Sequence, residues 1–332
     1  MPRVSWRVKT LAHLEMTRPY TMFHAGLVAV AGAELASGGH GAAWRVALAG
    51  IVTICGWEAG LYAGDFYDRE LDARGKPFRP VPSGRVSPRE AFLTMVGLIL
   101  TGNVCALALG PANLGLAILT TVLGIAYSKT FKARALLGNF DRGVLGVCAA
   151  LFGALAVGTP AHGTVLLLLV AVFFHDSASN LVGTIRDVDG DRAAGYATVP
   201  VVYGVARAAS IAAGLALGAA IASLALMLVL MPGPLAWVLF LGALVLAASV
   251  YLGLWYGRSS LTRARALDAH KYLVVERLLL FNGFIAVYVP PAVALTLLAT
   301  TLAATVGAQV LLRDRYERQQ IRGSAASGFA QG

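Results

Sequence analysis

Residues 206–231 read ARAASIAAGLALGAAIASLALMLVLM, 26 residues with a single charge, Arg207. After Pro232 and Gly233, residues 234–256 read PLAWVLFLGALVLAASVYLGLWY with no charge at all. A helix needs about 20 apolar residues to cross the hydrocarbon of a bilayer. Two such runs joined by a Pro-Gly turn predict a transmembrane hairpin. Working outward, further apolar runs lie near 20–38, 43–64, 88–109, 112–128, 139–158 and 163–186. A last apolar region, near 272–312, is interrupted by Pro290-Pro291. The whole chain of 332 residues is 58% hydrophobic and 13% charged, about half the charge of the roughly 25% usual in soluble domains. A soluble globular enzyme is excluded, and so is a disordered chain, which would be polar and highly charged. The fold class is all-α: a polytopic membrane protein of about nine transmembrane helices. Residues 1–318 read as one membrane domain, and the Gly/Ala/Ser-rich residues 319–332 as a flexible tail.

The connections alternate in character. Those near 39–42, 110–111, 159–162 and 231–234 are short and lack Lys and Arg, whereas those near 65–87, 129–138, 187–205 and 257–271 are longer and basic. Lys and Arg mark the cytoplasmic side, so the N-terminus and every long loop are expected there. The N-terminal Arg3, Arg7 and Lys9 precede no clear signal-cleavage pattern, and the first apolar run is expected to remain as a span. One span after residue 272 gives nine helices and puts Arg313, Arg315, Arg318 and Arg322 outside; two give ten and put them inside, as the charge rule prefers. The net charge of +10 fits anionic headgroups and a phosphate-bearing substrate, with no call for nucleic acid. Cys55, Cys105 and Cys148 are far apart, without metal-ligand spacing, and read as packing residues.

Charge at the mouth of a membrane helix is costly and usually marks a working site. Of 17 Asp and Glu residues, seven fall in two short stretches: Asp65, Asp68, Glu70 and Asp72, then Asp187, Asp189 and Asp191. Each stretch sits where an apolar run exits to the basic side. Asp65, Asp68 and Asp72 share a helix face by spacing, as do Asp187 and Asp191. Glu58 continues the first stripe into the membrane; Asp176 and Asn180 continue the second. Carboxylates so gathered need cations. Oxygen ligands with no His or Cys beside them suit Mg2+, which takes one or two carboxylates plus substrate phosphate. The two stretches also match downstream: Gly75, Pro80 and Gly84 after the first, Gly195, Pro200 and Gly204 after the second. This is the pattern of a parallel internal repeat, with both motifs on one membrane face around one cavity. Lys76, Arg79 and Arg85 follow the first motif. Tyr127, Ser128, Lys129 and Lys132 sit at another helix end on the same side. Metal with Lys, Arg and Tyr is equipment for a diphosphate.

Gly64 through Asp72, followed by Lys76-Pro77-Phe78-Arg79-Pro80-Val81-Pro82-Ser83-Gly84-Arg85, resembles the first signature of the UbiA superfamily of intramembrane prenyltransferases. Asn180 through Arg192, ending at Pro200 and Gly204, resembles the second, and Tyr127-Ser128-x3-Lys132 is similar to a weaker third element. The resemblance implies a horseshoe of about nine helices around a central cavity open to the bilayer and capped by cytoplasmic loops. It implies Mg2+ held by Asp68 and Asp72 on one side and Asp187 and Asp191 on the other, with Asp65 in support. Lys76, Arg79, Tyr127, Lys132 and Asn180 would hold the diphosphate. The family commonly has Asn where this chain has Gly64, which removes one polar contact and could enlarge the pocket.

The expected reaction is Mg2+-dependent transfer of a prenyl group from an isoprenyl diphosphate to a hydrophobic acceptor in the bilayer, an aromatic or quinone-type compound as the main reading. The alternatives are a terpene cyclase of the same superfamily, an ether-lipid transferase using a glycerol phosphate acceptor and, from another class, a secondary transporter. Glu58 and Asp176 are candidates for orienting the acceptor or taking its proton, against plain helix-packing hydrogen bonds. Trp57, Tyr62, Phe66, Phe173 and Phe174 are candidate cavity aromatics. Asp141-Arg142 is assigned no role, and His175 reads as a packing residue.

Overall fold

The computed structural model describes residues 5–158 and 163–313; the tail 319–332, Arg3, Arg315, Arg318 and Arg322 lie outside them. Among the described residues all regular elements are helical, apart from an isolated bridge between Arg134 and Ala197. In chain order the α-helices are α1 (Trp6–Thr17), α2 (Pro19–Ser37), α3 (Ala43–Tyr67), α4 (Arg69–Gly75), α5 (Pro88–Leu109), α6 (Pro111–Lys129), α7 (Ala135–Ala156), α8 (Gly163–Arg186), α9 (Val188–Ala193), α10 (Val199–Tyr203), α11 (Val205–Leu230), α12 (Pro234–Tyr256), α13 (Arg263–Ile285) and α14 (Pro291–Ala308).

The helix starts follow local chemistry. Proline opens α2, α5, α6, α12 and α14, where its missing N–H costs nothing and its fixed φ suits the first turn. Ser87 and Glu90 form a reciprocal capping box at the start of α5, satisfying two donors that would otherwise be orphaned at the membrane edge. Among the described residues, eight helices are long and apolar enough to cross a membrane. Two more, α2 and α13, have 19 and 23 residues but carry more polar side chains. The region around Pro290-Pro291 is two helices. α13 ends at Ile285 and α14 starts at Pro291. The Gln309 amide donates to Lys271 O at 3.3 Å, so α14 returns to the start of α13 as an antiparallel hairpin.

Successive long helices are neighbours, and the ring closes where α13 packs on α2. α2 is the hub, touching α3, α7, α13 and α14. Its contact with α7 is backbone to backbone. A Cβ on Gly32 would lie 2.0 Å from Ala150 O, and one on Gly153 1.8 Å from Ala29 O. Close approach of this kind matters in lipid, where packing rather than hydrophobic expulsion drives helix association. The largest core cluster joins α2, α7, α8, α12 and α13 through Val28, Ala150, Leu168, Phe240 and Phe281. α1 packs on α3, which carries the first acidic motif, and ties to the loop that follows it. Lys9 pairs with Glu90, His13 Nδ1 meets Tyr62 OH at 2.8 Å, and Glu15 takes a two-point bond from Arg85 at 2.7 Å.

Candidate active site

Each acidic motif is built on the same bend. Asp68 closes α3 and opens α4 at φ −87°, ψ 0°; Asp187 closes α8 and opens α9 at φ −96°, ψ 7°. The Asp68 N–H donates to Gly64 O at 2.9 Å and that of Asp187 to Gly183 O at 3.1 Å. One turn later, Asp72 N–H donates to Asp68 O and Asp191 N–H to Asp187 O. The loop after each motif ends at a glycine in the left-handed region, Gly84 at φ 75° and Gly204 at φ 83°, where a side chain would be strained. The sequence repeat is therefore a structural repeat at both motifs.

The two motifs meet at one mouth. Lys76 Nζ, beyond the first motif, lies 3.9 Å from Asp187 of the second. Tyr196, beyond the second, donates its hydroxyl to Asp68 of the first at 3.3 Å. Arg79 Nη1 lies 2.6 Å from Asp72 and 3.6 Å from Asp65. Asp65 also takes Arg18 at 2.5 Å, Asp68 takes Lys132, Asp187 takes Arg186 at 2.5 Å, and Asp191 accepts from Thr198 at 3.1 Å. The opening beside them encloses about 800 Å3 of empty space open to solvent, with five cationic and three acidic side chains in its wall. An anion would meet a positive surface there.

The charges tune one another. Burial opposes ionisation of Asp187, but Arg186 and Lys76 outweigh it and hold the carboxyl well below the usual range. Burial, reinforced by the charge of Asp187, pushes Asp191 up to about 6. Burial works against the Arg79 guanidinium, and Asp65 and Asp72 more than restore it. Asp187 favours charged Lys76, yet burial and the nearby Arg79 and Arg186 bring its pKa down. The donor set fits Mg2+ in kind, being oxygen-only and spread over two facing bends. Among the described residues, however, no three carboxylate, His or Cys side chains converge as a ready metal cage. The reason is visible in the contacts: Arg and Lys side chains stand between the carboxylates.

Deeper in, Asn180 donates to Tyr127 OH at 3.3 Å, and its amide meets that of Asn139 at 2.8 Å. Arg142 lies 4.4 Å over the Trp57 ring and 5.5 Å over that of Tyr127, a cation–π position that its sequence did not advertise. Glu58 is buried, and neither carboxyl oxygen has a hydrogen-bond partner among the described residues. A Cβ on Gly64 would meet nothing within 4 Å, so the departure from the family Asn leaves open space. Asp176 belongs elsewhere. Eleven residues before Asp187, it lies about 16 Å up α8, bound to His24 at 3.0 Å, His175 at 3.4 Å and Arg277 at 3.8 Å. His175, read above as packing, bridges Asp176 to Glu276, its Nε2 lying 2.8 Å from Oε2. Neither His24 nor Arg277 was singled out by spacing, because they come from α2 and α13. The aromatics are divided: Trp57 donates to Thr21 Oγ1 at 3.3 Å, Tyr62 serves α1, Phe66 packs on Phe92, and Phe173 packs on Phe140.

The model of the UbiA prenyltransferase family matches residues 25–275. The chain belongs to the UbiA prenyltransferase family. It is a membrane enzyme of the prenyl-transferring class. This UbiA protein is 34% identical over 275 residues to a digeranylgeranylglyceryl phosphate synthase of Methanopyrus kandleri, covering 83% of this chain and 97% of that one. It is also 34% identical over 210 residues to the enzyme of that name from Natronomonas pharaonis, covering 63% and 75%. Its fold is shared with a UbiA homologue from Archaeoglobus fulgidus bound to GPP and Mg2+, at TM-score 0.62 and 17% identity, covering 90% of this chain and all of that one.

Proposed function

We propose that this enzyme transfers a geranylgeranyl-class isoprenyl group from its diphosphate to a hydroxyl of a glycerol phosphate lipid, forming an ether within the membrane. The observation that carries the donor half is the interleaved mouth, where Arg79 reaches Asp65 and Asp72 and Lys76 reaches Asp187. The acceptor half rests on the named relatives, which favour the ether-lipid alternative over the aromatic or quinone acceptor expected first.

Asp68, Asp72, Asp187 and Asp191 would hold Mg2+, with Asp65 in support; the metal would neutralise diphosphate oxygens and so ease their departure. Lys76, Arg79 and Lys132 bind the remaining diphosphate charge, and Tyr127 and Asn180 orient it from the membrane side. The C1–O bond of the donor breaks, its electron pair leaving with diphosphate, and an allylic cation remains. The acceptor hydroxyl oxygen bonds to C1 and loses its proton. Glu58, buried with both oxygens unpartnered, is the group we assign to receive that proton. Apolar walls keep water from the cation. The basic loops support a cytoplasmic mouth and N-terminus.

The test is incubation of detergent-purified enzyme with geranyl, farnesyl and geranylgeranyl diphosphates, with and without Mg2+, each alone, with a prenylglyceryl phosphate or with an aromatic acid. Mg2+-dependent ether formation with the glycerol phosphate lipid is expected. Release of diphosphate with no acceptor, alongside a cyclic product, would replace the proposal with a cyclase. Turnover only with the aromatic would restore that acceptor. Ion-coupled uptake into vesicles without any turnover would indicate a transporter.

A further inference from the structure

A second, open cavity lies between α8, α11, α12 and α13, with about 370 Å3 of empty space that includes its open mouth. Its wall is mostly small and apolar, with Ala216, Ala219 and Ala220 of α11 facing Leu244 and Ala247 of α12. Ala216, Ala220, Leu244 and Ala247 are partly exposed, and Leu217, Ile221 and Val245 beside them are exposed. The cavity therefore opens sideways, through the face that meets lipid tails.

Its floor is polar. Tyr251, Glu276, His175 and Ser223 line it, and all four are buried. The Tyr251 side chain is 6% exposed, and its hydroxyl has no hydrogen-bond partner among the described residues. A buried hydroxyl without a partner costs free energy that a ligand can recover. The charges below it are already matched. His175 faces Asp176 with Nδ1 and Glu276 with Nε2, so both carboxyls already have a partner. Arg277 stands beside Asp176. With the carboxylates and cations of the cluster paired on one another, His24 also standing on Asp176, an ionic headgroup would find no free counter-charge this deep in the membrane. A hydroxyl fits both remaining needs: it accepts from Tyr251 OH and donates to the Glu276 carboxyl.

We propose that this cavity is a binding site for a neutral, alcohol-headed lipid, held by its hydroxyl between Tyr251 and Glu276 with its chain leaving between α11 and α12. Two sources share that chemistry, a free isoprenoid alcohol and a diacylglycerol of the bilayer. The site is separate from the aspartate mouth and stands whatever the acceptor of the transfer reaction is.

The experiment uses full-length protein in detergent and two photoactivatable probes, a diazirine-bearing farnesol and a diazirine-bearing diacylglycerol, with labelled peptides mapped by mass spectrometry. Labelling within 205–256 is expected. Tyr251→Phe, which removes one hydrogen bond, should lower it about two- to tenfold, and Ala220→Leu, which fills the opening, should lower it as much or more. Each variant's fold is checked by its gel-filtration profile. Labelling by farnesol alone assigns the free alcohol, by diacylglycerol alone the membrane lipid, and by both a site for the shared hydroxyl. Absence of label from these helices with both probes, or equal labelling in both folded variants, overturns the proposal.

Discussion

Lys132 occupies the Asp68 carboxylate directly, with 15% of its side chain exposed and 22% of that of Asp68. Screening by water is partial, so this pair and any pair that replaces it carry real weight. In the proposed reaction Lys132 must leave Asp68 for a diphosphate oxygen. Lys132→Met keeps the length and apolar stem but removes the charge. Two effects of opposite sign follow. The donor loses a charge-assisted hydrogen bond of about 1.5–3 kcal/mol, which raises its KM roughly 10- to 150-fold. Asp68 loses its competing cation, so divalent metal binds more tightly in the absence of donor, by about tenfold or more. The first is read by radiolabelled prenyl transfer, the second by Mn2+ titration followed by electron paramagnetic resonance. Weaker metal binding in a folded Lys132→Met protein would refute the idea that Lys132 and metal compete for one carboxylate. An unchanged donor KM would refute the role of Lys132 in holding diphosphate.

Asp68→Ala and Asp187→Ala should each abolish Mg2+-dependent turnover in a protein that remains monodisperse; full activity in either removes that residue from the metal set. Glu58→Gln should lower kcat more than tenfold at unchanged donor KM, and should hold or raise the melting temperature because it replaces a buried carboxyl that lacks partners; a lost fold would show Glu58 to be structural. Gly153→Leu should destabilise by about 3 kcal/mol or more, since even its Cβ would lie 1.8 Å from Ala29 O, and a wild-type melting curve would disprove the backbone contact of α2 with α7. Gly64→Asn should be tolerated, as its Cβ meets open space, and should tighten donor binding by supplying the missing polar contact; a rise in KM would argue against that space facing the donor.

What the sequence disclosed followed from energetic cost. Apolar length must match a bilayer, so the spans from 88–109 to 234–256 could be read to within a few residues. Charge at a membrane edge must serve something, so the two aspartate stretches stood out. The start of α13 did not, because its first turns, from Arg263 to Lys271, are charged and lie at the mouth, where apolarity is no guide. That concealed where α13 begins, though not the two-helix arrangement that the charge rule prefers. The Asp176 network was equally hidden. Its members come from α2, α8 and α13, and no local spacing relates His24 to Asp176 across 152 positions. Nothing local gives Arg142 a role; only the fold puts it over Trp57 and Tyr127.

The repeat explains why the mouth holds together without its ligands. If each motif paired only with its own cations, the two halves of the ring could part and leave each set of carboxylates satisfied. Instead the partners are exchanged. Tyr196, from the loop of the second motif, binds Asp68 of the first, and Lys76, from the loop of the first, approaches Asp187 of the second. Separation would strip a partner from a half-buried carboxylate on both sides, a loss that costs more than the intact pair contributes. The same cross-bracing keeps the bends at Asp68 and Asp187 facing one another, so in the proposed reaction a diphosphate would arrive at a site whose geometry is already set and whose cations need only change partners. Preorganisation of that kind spares the reaction the cost of assembling its charges around an unstable cation.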